Sequence, residues 1–359
     1  MKSTFKIAVL LFLIPLVSFA NTKTKPRQEK SKTIKKEYSV SSDATVKLDN
    51  KYGNLNITTW DKNRVEITVV ITVKGNNLST VEKRLEDVEV EFKANSDMVS
   101  AKTIIPKSSR GWFVWNSSKN TKYQINYTVK MPVSNSVKLN NDYGTVQLNE
   151  LNGAADINVD YGKLVVGDLN NANNNINIDY CKNSNINFMR SGSINTDYSR
   201  LTVDKTDKVK INSDYSTVTI ESANTVTFNA DYGNIIVNDV KDITGNTDYV
   251  SVRLGTVSKS LNLDADYGSI KIKELAKGFS TGEITGSYAG ITIGVNAKSN
   301  FNFIADLSYA RLRYDKNNVD MRKSIIKSSK RYFEGTFGKG STNSKLHIKS
   351  SYGNVNFKQ

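Results

Sequence analysis

Twelve of the seventeen tyrosines in this 359-residue chain stand in one recurring phrase, in which a polar residue, most often aspartate, precedes the ring and a small residue usually follows it. They are Tyr52, Tyr143, Tyr161, Tyr180, Tyr198, Tyr215, Tyr232, Tyr249, Tyr267, Tyr288, Tyr309 and Tyr352. From Tyr143 to Tyr309 the steps are 18, 19, 18, 17, 17, 17, 18, 21 and 21 residues. A period of this size makes each repeat one unit that buries its apolar face only against its neighbours, so the chain is constrained to a stacked architecture.

Within a repeat the apolar residues alternate, which is strand chemistry. In FNADYGNIIV, Phe228 to Val237, the residues Val226, Phe228, Ala230 and Tyr232 fall on one face, and Thr227, Asn229 and Asp231 on the other. The tyrosine is therefore expected to point inward. After it the apolar positions move to Ile235 and Val237, so the parity breaks within two residues and the chain bends. Glycine follows the tyrosine at Gly53, Gly144, Gly162, Gly233, Gly268 and Gly353, and its wide backbone freedom is expected to supply that corner. An antiparallel meander and a parallel β-solenoid both accommodate strand, corner, strand and turn. One residue type recurring at every level favours the solenoid, where equivalent positions stack at about 4.8 Å. About ten laps make a rod of roughly 45 Å at that spacing.

The period fails at both ends, which marks the organisation. Residues 1–20 read as a signal peptide, with Lys2 and Lys6, an apolar run from Ile7 to Val17, and Ser18-Phe19-Ala20 before the expected cut. Residues 21–37 carry seven Lys/Arg against Glu29 and Glu37 and read as a flexible basic leader, too polar to fold alone. Residues 38–135 form an N-terminal β-rich capping region, with a short helix where Leu78, Val81, Leu85 and Val88 recur at helical spacing. Residues 136–314 are the repeats, and 315–359 a degenerate rung and C-terminal cap. No long apolar run follows the signal, so no transmembrane helix is expected.

Composition narrows the chemistry. One cysteine, Cys181, and one histidine, His347, leave too few ligands for a Cys/His zinc site and no Ser-His-Asp or Cys-His system. The chain is long enough to bury a stable core without a disulfide. Its formal charge is +15, and its export signal turns that charge toward envelope anions or glycans rather than nucleic acid.

The signal peptide, the early Lys51-Tyr52-Gly53-Asn54-Leu55-Asn56-Ile57 followed by Trp60-Asp61, the repeated Asp-Tyr-Gly-x-apolar-x-apolar phrase, and the closing Tyr332-Phe333-Glu334-Gly335-Thr336-Phe337-Gly338 before Ser351-Tyr352-Gly353 resemble the bacterial adhesin-like β-solenoid family. The resemblance spans essentially the whole mature chain. It implies an exported cell-envelope protein with a right-handed β-solenoid, located in the periplasm or at the cell surface, and it brings no catalytic motif.

No catalytic, cofactor-binding or metal residue is assigned. The nearest candidate is a column of Asp142, Asp160, Asp179, Asp197, Asp214, Asp231, Asp248 and Asp266, one per repeat on the outer face. Like charges that close repel by about 1 kcal/mol per pair even in water. Turn hydrogen bonding to the corner's own N–H groups, calcium, or a carbohydrate-cleaving carboxylate pair would each answer that repulsion. The tyrosine column is expected as buried stacking, with a ligand platform as the alternative. Gly111-Trp112-Phe113-Val114-Trp115 is either cap packing or an exposed aromatic surface, and Cys181 is a small residue at a corner. The functional expectation is a noncatalytic adhesin-like scaffold that binds glycan, lipopolysaccharide or protein. The alternative is a β-helix polysaccharide lyase or glycoside hydrolase using the corner carboxylates.

Overall fold

The computed structural model describes residues 27–106, 121–295 and 299–358. The signal segment and Trp112 to Trp115 lie outside these residues. The described residues are all-β apart from one helix and one 3-10 turn, and the pairings join their 24 strands into one large sheet. The N-terminal part comprises β1 (Gln28–Ser39), β2 (Thr45–Lys51), β3 (Leu55–Trp60), β4 (Arg64–Gly75), α1 (Leu78–Asp87), β5 (Glu89–Ala94), β6 (Met98–Ile104) and β7 (Lys122–Pro132). The repeats supply β8 (Ser136–Asp142), β9 (Thr145–Leu151), β10 (Ala155–Asp160), β11 (Lys163–Leu169), β12 (Asn174–Asp179), β13 (Ser184–Asp197), β14 (Arg200–Asp214), the long β15 (Thr217–Asp266), β16 (Ser269–Leu275), β17 (Thr281–Ser287) and β18 (Gly290–Gly294). The last part holds β19 (Phe301–Ser308), β20 (Leu312–Arg313), β21 (Val319–Lys327), β22 (Lys330–Phe337), β23 (Lys345–Ser351) and β24 (Val355–Lys358).

Equivalent residues of successive repeats pair in parallel and in register. The inward column Leu139, Ile157, Ile176, Ile194, Ile211, Phe228 runs through five consecutive pairings, and each member is buried. Burying a side chain of this size contributes about 1.5–3 kcal/mol relative to leaving it exposed. The strands after each tyrosine stack the same way, with Leu148 against Val166 and Val203 against Ile220. Packing within a column is complementary: Gly245 stands one level beyond Phe228, and a methyl group on Gly245 would fall on the Phe228 ring.

The N-terminal cap departs from parallel pairing. β4 runs antiparallel to β7, which is parallel to β3, and β5 runs antiparallel to β6, which is parallel to β2. Helix α1 forms where the periodicity places it, with the Asn77 side chain accepting from the Thr80 N–H at 3.0 Å and Val81 buried.

From Gln28 onward the basic segment is not a flexible leader. It forms β1, paired antiparallel with β4 along all twelve of its residues. Its composition is indeed too polar to fold alone, but β4 offers an open edge, and Ile34 and Tyr38 pack partly buried on the core. Lys30–Glu82 at 3.3 Å, Lys74–Glu29 at 3.0 Å and Arg64–Glu37 at 3.2 Å tie its charges down. The lysines of this outer strand also discourage pairing with another chain.

The C-terminal region corrects the expected order of stacking. The segment Lys316 to Ser344 does not form a degenerate rung: β21 and β22 form an antiparallel hairpin, and β22 lies antiparallel to β19. The chain then returns and inserts β23 between β17 and β19, and β24 between β18 and β20. The inward residues of β17 accommodate this, since Gly282 faces Leu346 and Gly286 faces Ser350.

Candidate functional site: an exposed tyrosine column

The tyrosines do not point inward. All twelve are between 38% and 61% exposed, and all have positive φ, from 49° to 62°. The parity therefore breaks at the tyrosine itself: one left-handed residue turns the ring out of the core, and Ile235 and Val237 resume the inward face beyond it. Glycine has a different role from the one expected. At Gly233 and Gly268 a Cβ would fall on the carbonyl oxygen of Ser216 and Val250 in the preceding repeat, so the position is small because two backbones approach closely. Where serine replaces glycine the hydroxyl enters that space. Ser199 Oγ donates to the Asp197 carbonyl at 2.7 Å and accepts from the Cys181 N–H at 2.8 Å. Cys181 itself is buried at its corner, and that burial pushes its thiol up to about 11.

Turned outward, the rings stack on each other. From Tyr52 through Tyr143 and onward to Tyr288, then Tyr352 and finally Tyr309, neighbouring centroids are 4.6–5.3 Å apart. From Tyr161 onward no neighbouring pair departs from parallel by more than 6°. Tyr123 of β7 extends the column by one more ring, 6.3 Å from Tyr52. Tyr352 sits between Tyr288 and Tyr309, out of sequence order, because its strand is the inserted one.

Each corner is pinned by the main chain. Tyr143 N–H donates to the Asp160 carbonyl at 2.9 Å, Tyr161 to Asp179 at 2.9 Å, and Tyr180 to Asp197 at 3.0 Å. The aspartate thus serves the corner through its backbone carbonyl. Its carboxylate stays outside, and the acidic column predicted from the sequence is present in register: Asp142, Asp160, Asp179, Asp197, Asp214, Asp231. Partial burial, then the Asp142 charge, raises the Asp160 carboxyl above the usual carboxylate range. Partial burial and the Asp197 and Asp160 charges raise Asp179, opposed by the Asp197 backbone N–H that donates to it. At the N-terminal end Lys51 meets Asp142 at 3.0 Å.

A third column was not singled out from the sequence. Asn158 Nδ2 donates to Asn140 Oδ1 at 2.8 Å, Asn177 to Asn158 at 2.6 Å, Asn195 to Asn177 at 2.6 Å and Asn212 to Asn195 at 2.8 Å. The signal was available: asparagine stands three residues before seven successive tyrosines, from Asn140 to Asn246.

The surface so built is a strip of ring edges and phenol hydroxyls repeating at strand spacing, bordered by carboxylates. Stacking covers the ring faces inside the column. A sugar ring that stacks face to face has access only at the ends, where Tyr309 is 61% exposed. Along its length the strip offers hydrogen bonds and edge contacts to an extended partner.

No family model and no curated protein matches the chain. Among solved structures it is similar to a proposed adhesin from Parabacteroides distasonis ATCC 8503, with 14% identity over 74% of this chain and 93% of that one, and a TM-score of 0.35. A proposed lipid-binding protein from the same organism gives 12% identity, 91% and 97% coverage and a TM-score of 0.35. A proposed adhesin from Parabacteroides merdae ATCC 43184 gives 12%, 91% and 97%, and 0.32.

Proposed function

We propose that the chain is an exported, noncatalytic, adhesin-like scaffold, a right-handed solenoid that holds an extended envelope partner along its tyrosine column. The single observation that supports this reading is the column itself: rings held in an otherwise unfavourable backbone conformation, displayed to solvent at every level, with no copy set apart from the rest. A unique active site needs one repeat to differ in its chemistry, whereas a linear binding surface needs the repeats to agree. The partner classes that suit a strip of hydroxyls and carboxylates are glycan, lipopolysaccharide and protein, at the cell surface or in the periplasm.

The test is the triple variant Tyr198→Phe, Tyr215→Phe, Tyr232→Phe, which keeps every stack and removes three hydroxyls. Binding to a polysaccharide array and to an isolated cell-envelope fraction is expected to fall at least ten-fold, with the melting temperature unchanged. Binding equal to that of the parent would remove the column from the proposal. The lyase or hydrolase alternative is read separately: polysaccharide cleavage by the parent that disappears in Asp231→Asn/Asp248→Asn would establish it. A chelator that leaves the melting temperature unshifted supports a column without calcium.

A further inference from the structure

The row that carries the aspartates continues past them, and its chemistry reverses. In register, Asp266 is followed by Ser287, Ser351, Ser308, Lys330 and Lys327. Lys327 and Lys330 face each other across the turn of the β21–β22 hairpin, side by side on its outer face. Like charges placed directly opposite are destabilising, and neither lysine has a carboxylate partner among the described residues. Lys51 at the other end of the row has Asp142.

The adjacent row is Thr285, Lys349, Asp306, Tyr332 and Ile325. Its polar groups already have partners: Lys349 meets Glu283 at 2.8 Å, and the Asp306 carboxylate is in hydrogen-bond contact with His347 Nε2 at 3.1 Å. Arg331 donates to the Ala310 carbonyl. The two rows line a groove of about 410 Å3 in which Ile325 and Tyr332 are apolar surface and Lys327 and Lys330 are the uncommitted cations. A volume of this order suits a small-molecule group. Ile325 is 39% exposed and Ile326, beside it on the opposite face of the strand, 62%. Ile325 is the one that shares the groove face with Lys327, so an exposed aliphatic side chain and a cation stand together there.

We propose that this groove binds the phosphoryl head of a lipid, with the two lysines and the neighbouring Ser308 hydroxyl on the phosphate and the acyl portion against Ile325 and Tyr332. A phosphomonoester carries nearly two negative charges and several acceptor oxygens, so it neutralises both lysines at once. A lone carboxylate would leave one of them opposed. The site lies at the C-terminal end of the row and does not depend on the tyrosine strip.

The test uses the full mature chain and cosedimentation with vesicles containing phosphatidic acid, compared with phosphatidylcholine alone. Binding is expected for the first and not the second, with affinity falling about thirty-fold in Lys327→Gln/Lys330→Gln, as two lysines at an anionic surface imply. The control Lys208→Gln/Lys210→Gln, on exposed lysines of the repeats, is expected to stay within two-fold. Equal loss in both double variants, or no loss in the first at unchanged melting temperature, overturns the assignment. Inorganic phosphate separates the two sources of the head group. If it binds in a lysine-dependent manner while Ile325→Ser leaves vesicle binding intact, the site takes free phosphate and the lipid assignment fails. The Tyr→Phe triple variant is expected to bind vesicles normally, so failure of the strip and failure of this groove give different results.

Discussion

Tyrosine is an unexpected choice for a left-handed position. A non-glycine residue there costs about 1–2 kcal/mol, and glycine would avoid the cost. The stack explains the choice, because aromatic pairs contribute about 0.5–1.5 kcal/mol beyond the area they bury and each interior ring belongs to two pairs. At Tyr232 the two effects can be separated. Tyr232→Ala loses both stacks and keeps the strain, whereas Tyr232→Gly loses the stacks and relieves it. Urea denaturation is expected to show the alanine variant as less stable by about 1 kcal/mol, the reverse of the usual order in a strand.

The carboxylates make a second prediction at this scale. Asp160 and Asp179 are raised in the folded state, so the native protein binds their protons more tightly than the unfolded chain does. The cost of keeping them charged is fully present above the folded pKa and is relieved as the pH falls through it. Asp179→Asn is therefore expected to melt higher than the parent at pH 7. The difference should vanish once the pH is below the ordinary aspartate value of 3.8. An equal or lower melting temperature at pH 7 would contradict the assignment.

At the scale of the strand, each inward column is filled by trading size between levels, as Phe228 and Gly245 do. Gly245→Ala puts a methyl group on the Phe228 ring, and overpacking of this kind costs about 1–3 kcal/mol. Phe228→Leu removes the ring atoms in conflict. A double-mutant cycle is expected to give a favourable coupling, with the double variant more stable than Gly245→Ala alone. Additive losses would show that the two sites do not share the space.

The strands were legible because their information is local: alternation at Val226, Phe228 and Ala230 names the buried face without reference to anything distant. The direction of the tyrosine was not. Alternation assumes extended angles at every residue, and a pattern broken within two positions does not reveal whether Tyr232 or Gly233 carries the positive φ. Composition misread Lys30 to Glu37 for a related reason, since it weighs a segment by itself and the partner strand, Arg64 to Val73, lies elsewhere. The Asp column was legible and its corner bond was not, because one letter stands for both a carboxylate and a backbone carbonyl. The Lys327/Lys330 groove was invisible, since only the register of five strands puts Ser287, Ser351 and Ser308 beside that hairpin.

At the scale of the molecule, sequence order and spatial order differ at one place. The tyrosine period predicts that Tyr309 stacks on Tyr288, and the structure puts Tyr352 between them. Spacing alone could not show this, because any repeat with the right inward face fits any gap in the stack. The arrangement makes the final residues internal to the sheet. A chain ending at Ser344 leaves β17 and β18 facing β19 and β20 across a missing layer, with unpaired backbone groups on both sides. Limited proteolysis of that truncation is expected to cut between Tyr288 and Ala310 well before the repeats ahead of Tyr267. Cleavage spread evenly along the truncated chain would count against a local gap.

That inserted layer has a consequence for how the protein is made. In a simple stack, stopping the chain after any repeat exposes one new end. This one cannot close until Lys345 to Lys358 arrive, because its last strands lie between two that were synthesised earlier. A chain released before Lys345 keeps unpaired strand edges on both sides of that gap, whereas one that includes Lys345 to Lys358 covers them. The two sides of the gap are thus joined only when β23 and β24 are in place, by backbone pairing and by the burial of Leu346, Ile348, Val355 and Phe357.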